Sequence, residues 1–234
     1  MVFTDEEVDM AEHPDLTMYK IIHRGMRADT GRLAAAVAAL SEADRTRRMP
    51  RLVEWYAGFF HDFELHHSAE DELFFPALAE RLPEFADRMV RLDAEHHTLE
   101  AALVTVGEAV RQLADPEVGW SSVYGDALDA LRTADAELTF HLDHEDEDVL
   151  PLFVAHMSKI DYDEIAERAV KRQPLSQVTF AVPWIMSNAT DAERRQILGE
   201  APLPLKMVWY LYRGRYARLT KKALGDAVAP AVVP

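Results

Sequence analysis

Residues 66–76 read HHSAEDELFFP, and residues 141–151 read HLDHEDEDVLP. Each phrase contains a histidine, a glutamate four residues later with a second carboxylate beside it, and then apolar residues and a proline. Because an α-helix turns by about 100° per residue, His66 and Glu70 lie on one helix face, as do His141 and Glu145. The repeat therefore predicts two similar pairs of donor side chains on two different helices.

The sequence around these phrases has helical periodicity, with apolar residues three and four positions apart and no alternating strand pattern. Pro76 and Pro151 are expected to kink or weaken the last turns of their helices. Short connections favour an all-α fold, an antiparallel up-and-down four-helix bundle. The four helices are predicted at about residues 16–40, 50–81, 84–113 and 120–157.

The chain divides into a predicted bundle, residues 14–158, and a C-terminal extension, residues 159–234. Residues 1–160 hold 14 Lys and Arg against 33 Asp and Glu, a net charge of −19, and the remainder holds 11 against 8, a net charge of +3. The extension is helical in pattern, basic and aromatic. We expect it to pack on the acidic bundle, and an interfacial membrane helix or an RNA-binding patch are the alternatives. Its protein partner is not identified by the sequence.

Composition excludes several classes of protein. There is no cysteine among the 234 residues, which rules out disulfides and thiolate metal sites. The net charge of −16 argues against nucleic acid binding. No apolar run approaches the roughly 20 residues of a membrane span, and the N-terminus lacks a signal-peptide pattern. We therefore expect a cytoplasmic protein.

Histidine nitrogen beside carboxylate oxygen, without sulfur, suits iron, manganese or zinc. The other two predicted helices each add a histidine, His23 in the first, and His96 or His97 in the third. Four nitrogens and two carboxylates in the middle of a bundle predict a dinuclear metal site with open positions. A ferritin-like site would need Glu-x-x-His on two helices, and the chain has one such match.

Four phrases, HRGMR, HHSAEDELFFP, EHHTLEAAL and HLDHEDEDVLPLF, resemble the hemerythrin-like (HHE cation-binding) domain family over about residues 14–158. The resemblance implies a four-helix bundle that holds two non-haem iron ions joined by an oxo or hydroxo bridge. The helix-three ligand is His96 rather than His97, because the family phrase has histidine after glutamate and an apolar residue three positions later. The implied ligands are His23, His66, Glu70, His96, His141 and Glu145.

The sequence departs from the oxygen-carrying hemerythrins at Glu100, where those proteins have a further histidine. Either one iron has an open position, or Glu100 binds it. The carriers also use an aspartate five residues after the helix-four histidine, so Asp146 competes with Glu145. The missing fifth histidine argues against reversible oxygen carriage and favours redox chemistry.

Several neighbours of these residues carry weaker expectations. Tyr19, one turn before His23, is a core residue or a hydrogen-bond donor or ligand at the centre. His61 lies on the surface or touches the metal. The pairs His67–Asp71 and His144–Asp148 are expected to be solvated. Candidates for accepting hydrogen bonds from the ligand histidines are Glu64, Asp93 and Glu137.

Two hypotheses of function follow. In the first, the diiron centre reacts with a small ligand, in peroxide breakdown or in nitric oxide or oxygen chemistry, and the protein is a catalase-like or nitric-oxide-processing oxidoreductase. In the second, it is a non-catalytic oxygen or iron sensor that signals through its C-terminal extension. Sustained turnover of peroxide distinguishes the two. A bundle with incidental histidines is the third interpretation.

Overall fold

A computed structural model describes residues 13–225, and all regular secondary structure in that part of the chain is helical. The prediction of an all-α fold is confirmed. Of the extension, residues 226–234 lie outside the described residues. The four longest helices before the extension are α1 (Thr17–Ala38), α2 (Met49–Ala69), α4 (Ala86–Ala114) and α5 (Trp120–Asp148).

Contacts between these helices join a residue in the first half of one helix to a residue in the second half of another. The Tyr56 hydroxyl of α2 donates to the Leu103 carbonyl of α4 at 2.5 Å. Arg88, near the start of α4, donates to the Asp148 carbonyl at the end of α5. Tyr124, near the start of α5, donates to the carbonyl of Ala38, the last residue of α1, at 2.9 Å. In each of these pairs the two helices therefore run in opposite directions.

The helices are interrupted at both repeated phrases, but in different ways. In the first phrase, α2 passes into a π-helical segment, Glu70–Phe74, in which the Phe75 N–H donates to the Glu70 carbonyl five residues back. The helix α3 (Phe75–Arg81) follows, with Pro76 in its first turn, where proline needs no N–H partner. In the second phrase, α5 ends at Asp148, and α6 (Leu150–His156) begins after Val149. A short π-helical segment within an α-helix, like the one in the first phrase, is frequent at functional sites.

Two hydrophobic clusters form the core, and the helices pass from one to the other at their histidines. On α1, Tyr19 belongs to one cluster and Met26 to the other, and His23 lies between them. On α4, Leu92 and Leu99 enclose His96 in the same way. The histidines and glutamates thus form a polar layer between two apolar layers.

Four further helices make up the described part of the extension: α7 (Lys159–Lys171), α8 (Leu175–Asn188), α9 (Asp191–Glu200) and α10 (Leu203–Leu224). Helix α8 packs on α1 and α2, and α10 packs on α8 and α2. The approach is close at two glycines. A Cβ atom at Gly58 would lie 2.6 Å from the Phe180 ring, and one at Gly25 would lie 2.9 Å from the Trp184 ring.

Buried polar contacts also join the extension to the bundle. Asp62 of α2 accepts hydrogen bonds from the side-chain amides of Gln173 and Gln177, at 3.0 and 2.8 Å. Asp29 of α1 accepts one from the Trp184 indole at 2.6 Å. Burial raises the pKa of Asp62 to about 7, although both glutamines lower it. A buried carboxyl group with a raised pKa therefore lies where the extension meets the bundle.

Gly58→Ala should destabilise the fold by about 1–3 kcal/mol, because the new methyl group must displace the Phe180 ring. The matched control is Gly125→Ala on α5, where nothing lies within 4 Å of the new Cβ. There alanine should stabilise by up to about 1 kcal/mol. Urea unfolding measures both changes. Equal effects of the two substitutions would contradict the close packing of α8.

Asp62→Asn should make the protein more stable than the wild type above pH 7, by roughly 1–3 kcal/mol. The folded protein keeps the Asp62 proton up to about pH 7, whereas the unfolded chain releases it near the ordinary value of 3.8. Wild-type stability from this group therefore falls as pH rises between these values, and the variant lacks that loss. Unfolding free energies at pH 5 and pH 8 test this, with the exposed Asp126→Asn as control. An advantage that is the same at both values would refute the assignment.

Candidate metal centre

Seven donor side chains converge in the polar layer. Helices α1, α2, α4 and α5 and the π segment supply them, and all are buried apart from His66, whose side chain is 9% exposed. The donors are His23, His66, His67, Glu70, His96, His141 and Glu145.

These donors form two groups, in each of which the candidate ligand atoms lie within 4.8 Å of one another. The first group, site one, is His23, His66, Glu70 and Glu145. The second group, site two, is His67, His96 and His141. In site one, His66 Nε2 lies 2.9 Å from Glu70 Oε1 and 3.1 Å from His23 Nε2.

Both glutamates extend from site one to site two. The Oε1 atom of Glu70 faces His66, and its Oε2 atom lies 3.7 Å from His96 Nε2. The Oε2 atom of Glu145 lies 3.4 Å from His23 Nε2 and from His141 Nε2, and its Oε1 atom lies 3.6 Å from His96 Nε2. Each carboxylate therefore lies between the two groups of histidines.

Most of the inward-facing atoms are buried without a hydrogen-bond partner anywhere in residues 13–225. A buried polar atom without a partner costs about 1–3 kcal/mol, and more if it is charged. Six such atoms at one place are explained by cations that accept their lone pairs, so the donors fit a dinuclear metal centre of nitrogen and oxygen ligands. The atoms are the Nε2 of His67, His96 and His141, the Oε2 of Glu70, and both carboxylate oxygens of Glu145.

Carboxylates and a carbonyl hold the outer nitrogens of four of the histidines. The Nδ1 atom of His23 lies 2.8 Å from Asp146, and that of His96 lies 2.8 Å from Asp71. Since an ionised carboxylate can only accept, Nδ1 carries a hydrogen, and Nε2 is the nitrogen that faces the metal site. In the same way, His141 Nδ1 lies 3.2 Å from Glu95, and His67 Nδ1 lies 3.0 Å from the Phe63 carbonyl.

The repeat has a structural meaning that the helix-face argument did not reveal. In each phrase the aspartate directly after the glutamate binds a histidine on a neighbouring helix. Asp71 reaches His96 on α4, and Asp146 reaches His23 on α1. Each phrase thus supplies a histidine, a glutamate that lies between the two groups, and an aspartate that orients a histidine on another helix.

The expectation that His67 and Asp71 form a solvated pair was wrong. His67 is 5% exposed and belongs to site two. Adjacent helical residues point about 100° apart, so a helix in the middle of a bundle can aim both inward, each at a different neighbour. The centre therefore has five histidines, and the fifth comes from α2 instead of the Glu100 position on α4. In the sequence, the only sign of this second donor on α2 was the pair of adjacent histidines at positions 66 and 67.

The other candidates lie outside the two groups. Glu100 is exposed, His61 is half-buried beside Glu64, and Asp146 faces the outer side of His23. The hydroxyl of Tyr19 donates to Glu70 Oε1, and its ring centroid lies 4.6 Å from that of His23.

Two further expectations need correction. His144 is half-buried and hydrogen-bonds Glu95 at 3.0 Å, so it is not a solvated partner of Asp148 alone. Glu64 and Asp93 are exposed beside His61 and His97, and no hydrogen bond from a site histidine to Glu64, Asp93 or Glu137 is found in residues 13–225. The site histidines instead hydrogen-bond Asp71, Glu95 and Asp146. Each of these carboxylates lies on a different helix from the histidine that it contacts, so tertiary packing determines the pairing.

Mutual contact shifts the pKa values in the centre. Burial lowers the pKa of His96, but Asp71, Glu145 and Glu70 outweigh it and raise the pKa to about 10. The pKa of His141 rises to about 9 for similar reasons, against burial. Burial and the three histidines around it hold the pKa of His67 well below its usual range. A cation that binds these donors must therefore displace protons from His96 and His141.

The helices and the donors define a class of protein, an all-helical metal-binding bundle with a histidine and glutamate centre. The family model of the hemerythrin HHE cation binding domain matches residues 15–153, more than half of the chain. The chain therefore belongs to the hemerythrin HHE family. Neither a search of curated proteins nor a search of solved structures returned a match. None of the helices within residues 13–225 has the length and apolar content needed to cross a bilayer.

Asp71→Asn and Asp146→Asn should each weaken metal binding by about 10- to 100-fold, because each removes the carboxylate that orients one histidine. Competition against a coloured chelator measures the affinity of each metal equivalent. Asp148→Asn, with a side chain that is 52% exposed, is the control and should leave the affinities unchanged. Wild-type affinities in both test variants would show that the contacts to His96 and His23 do not orient the ligands.

Proposed function

We propose that the chain is a non-haem diiron protein that binds and reacts with a small ligand, namely oxygen, peroxide or nitric oxide. The observation that carries the proposal is the set of buried donor atoms without hydrogen-bond partners, arranged in two groups and joined by two carboxylates. Membership of the HHE family supports a cation at this place. Iron suits imidazole and carboxylate donors, and manganese or zinc are the competing ions.

In this proposal site one and site two each hold one iron. His23 and His66 would hold the first, and His67, His96 and His141 would hold the second. Glu70 and Glu145 lie between the two groups and would contribute to both. Site one offers one histidine fewer than site two, so a small ligand would have more room there.

Tyr19 lies on the side of site one. The equivalent position on α4, four residues before His96, is Leu92, so site two has no corresponding hydroxyl. Burial, together with Glu145 and Glu70, raises the pKa of Tyr19 well above its ordinary value. The phenol therefore keeps its proton and can donate a hydrogen bond, either to Glu70 or to a small ligand at site one.

When bound, the two irons supply two-electron redox chemistry and open coordination positions. The chain contributes the rest. Phe74 and Phe153 of the second cluster lie beside the Tyr19 ring, at centroid distances of 6.2 and 6.0 Å, and keep water from that side. Asp146 holds His23 in place from outside, and Tyr19 holds a proton at its hydroxyl oxygen from which it can donate a hydrogen bond. This arrangement favours small neutral molecules over charged substrates.

A second candidate function is a sensor that signals through the extension. The contacts of the extension lie next to a proposed ligand, and this observation favours the candidate. Arg24, adjacent to His23, donates to the Asn188 carbonyl at 2.9 Å and pairs with Glu193 at 2.6 Å. A change of metal state that moves His23 would therefore also move the contacts of Arg24 with α8 and α9.

The first test is the metal content of His67→Ala and of its control His61→Ala. The purified wild type should contain two irons per chain under this proposal. His67→Ala should lose iron from site two or bind it at least about tenfold more weakly, since a buried ligand is removed. His61→Ala should keep both irons. Elemental analysis of the wild type that finds no metal, or one zinc, would refute the diiron proposal.

The second test separates enzyme from sensor. The iron-loaded protein should release oxygen from peroxide over many cycles if it is catalase-like, and Tyr19→Phe should slow this by about 10- to 100-fold with both irons retained. Its control is Tyr56→Phe, a buried tyrosine whose hydroxyl bonds the Leu103 carbonyl away from the donors. A protein that reacts once with peroxide, oxygen or nitric oxide and then stops would favour the sensor.

A further inference from the structure

Helix α10 carries an apolar surface that nothing in residues 13–225 covers. Its outward stripe in the first half is Leu203, Met207, Tyr210 and Leu211, which are 69%, 53%, 58% and 70% exposed. These residues are three and four positions apart, so they form one continuous face. Four large exposed side chains on one helix face are unlike the single exposed apolar residues that most surfaces carry.

The two halves of α10 differ in how they attach to the protein. In the second half, Tyr216, Ala223 and Leu224 are buried in the larger hydrophobic cluster, and the Tyr216 ring lies 5.3 Å from that of Phe180. No residue from Leu203 to Tyr212 is buried. The first half therefore projects as an apolar ridge that the second half holds in place.

Cations continue the same face beyond the ridge. The helix LPLKMVWYLYRGRYARLTKKAL contains six Lys and Arg and no Asp or Glu. Arg215, Arg218 and Lys222 are exposed, and none of them makes an ion pair in the part of the chain that the structure describes. Elsewhere the extension does pair with the acidic bundle, as Arg172 does with Glu72 at 2.9 Å. In a protein of net charge −16, the exposed cations Arg215, Arg218 and Lys222 are therefore available to anions from outside.

We propose that α10 docks on an anionic lipid surface, with the apolar ridge of Leu203, Met207, Tyr210 and Leu211 at the acyl boundary and Arg215, Arg218 and Lys222 among the headgroups. A helix with an apolar face and basic residues, too polar to span, is the usual interfacial element. Each Lys or Arg near an anionic leaflet adds to the attraction, and the acidic bundle repels little beyond the screening length of about 8 Å.

Two other occupants fit less well. In a symmetric pair of α10 helices, a parallel arrangement would place cations against cations, and an antiparallel one would place each ridge against a cationic half. RNA would use the cations and Tyr210, but Leu203, Met207 and Leu211 offer it neither stacking nor hydrogen bonds. A lipid surface takes both the aliphatic side chains and the cations.

The test is co-sedimentation of the full chain with vesicles. The protein should sediment with phosphatidylcholine vesicles that contain phosphatidylglycerol, and not with phosphatidylcholine alone. Binding should decline as salt rises to about 0.5 M, because the headgroup charge is screened. The same preparation is measured by light scattering for its mass and with a homopolymer RNA in place of vesicles.

Two double variants separate the contributions. Met207→Asp with Leu211→Asp should weaken vesicle binding by about tenfold or more, and Arg215→Gln with Arg218→Gln should reduce it on anionic vesicles. Val90→Asp, at a residue of α4 that is 67% exposed, is the control and should bind as the wild type does. Circular dichroism checks that each variant is folded.

Three outcomes would overturn the proposal. The first is no sedimentation with anionic vesicles at low salt. The second is a dimer that Met207→Asp with Leu211→Asp dissociates, which would make the ridge a contact between two copies. The third is tighter binding to RNA than to vesicles. None of these readings depends on metal content, so the outcome is independent of the diiron proposal.

Discussion

The carboxylates of Glu70 and Glu145 impose the constraint on which the rest of the structure depends. Both are fully buried between two hydrophobic clusters, and three of their four oxygens have no hydrogen-bond partner in residues 13–225. Burying such charges is costly unless cationic partners surround them. Histidines from four helices stand around the pair, and the four helices must be held at fixed depth to bring them there. The bundle, its apolar layers and the interruptions near Pro76 and Pro151 all serve that placement.

The centre is built by a repeat and then made asymmetric. Each phrase gives a histidine, a shared glutamate and an aspartate that orients a histidine on another helix, which explains why the same sequence pattern occurs twice. Two single residues break the equivalence. His67 follows His66, whereas the residue that follows His141 is Leu142. Tyr19 lies four residues before His23, whereas the residue four before His96 is Leu92. One group of donors therefore has an additional histidine in place of a leucine, and the other has a buried hydroxyl beside it.

The extension packs on the same helices that carry the donors of the centre. Gly25 and Gly58 allow α8 to approach α1 and α2 within the reach of Trp184 and Phe180, and Asp29 and Asp62 accept its hydrogen bonds. Its last helix α10 uses one half for this attachment and leaves the other half outside. Residues 175–224 thus carry both the contacts with the donor-bearing helices α1 and α2 and the uncovered apolar ridge.

The sequence by itself determined the helices, the family and six of the seven donors at the centre, because helical periodicity and the spacing of His66 from Glu70 and of His141 from Glu145 are local properties. It could not determine that both His66 and His67 face inward, since that depends on which neighbours flank α2, and His67 was missed for this reason. The partners of the outer nitrogens were missed likewise. Asp71, Glu95 and Asp146 each act on another helix, and contacts between helices follow from packing depth and register, which tertiary structure alone decides.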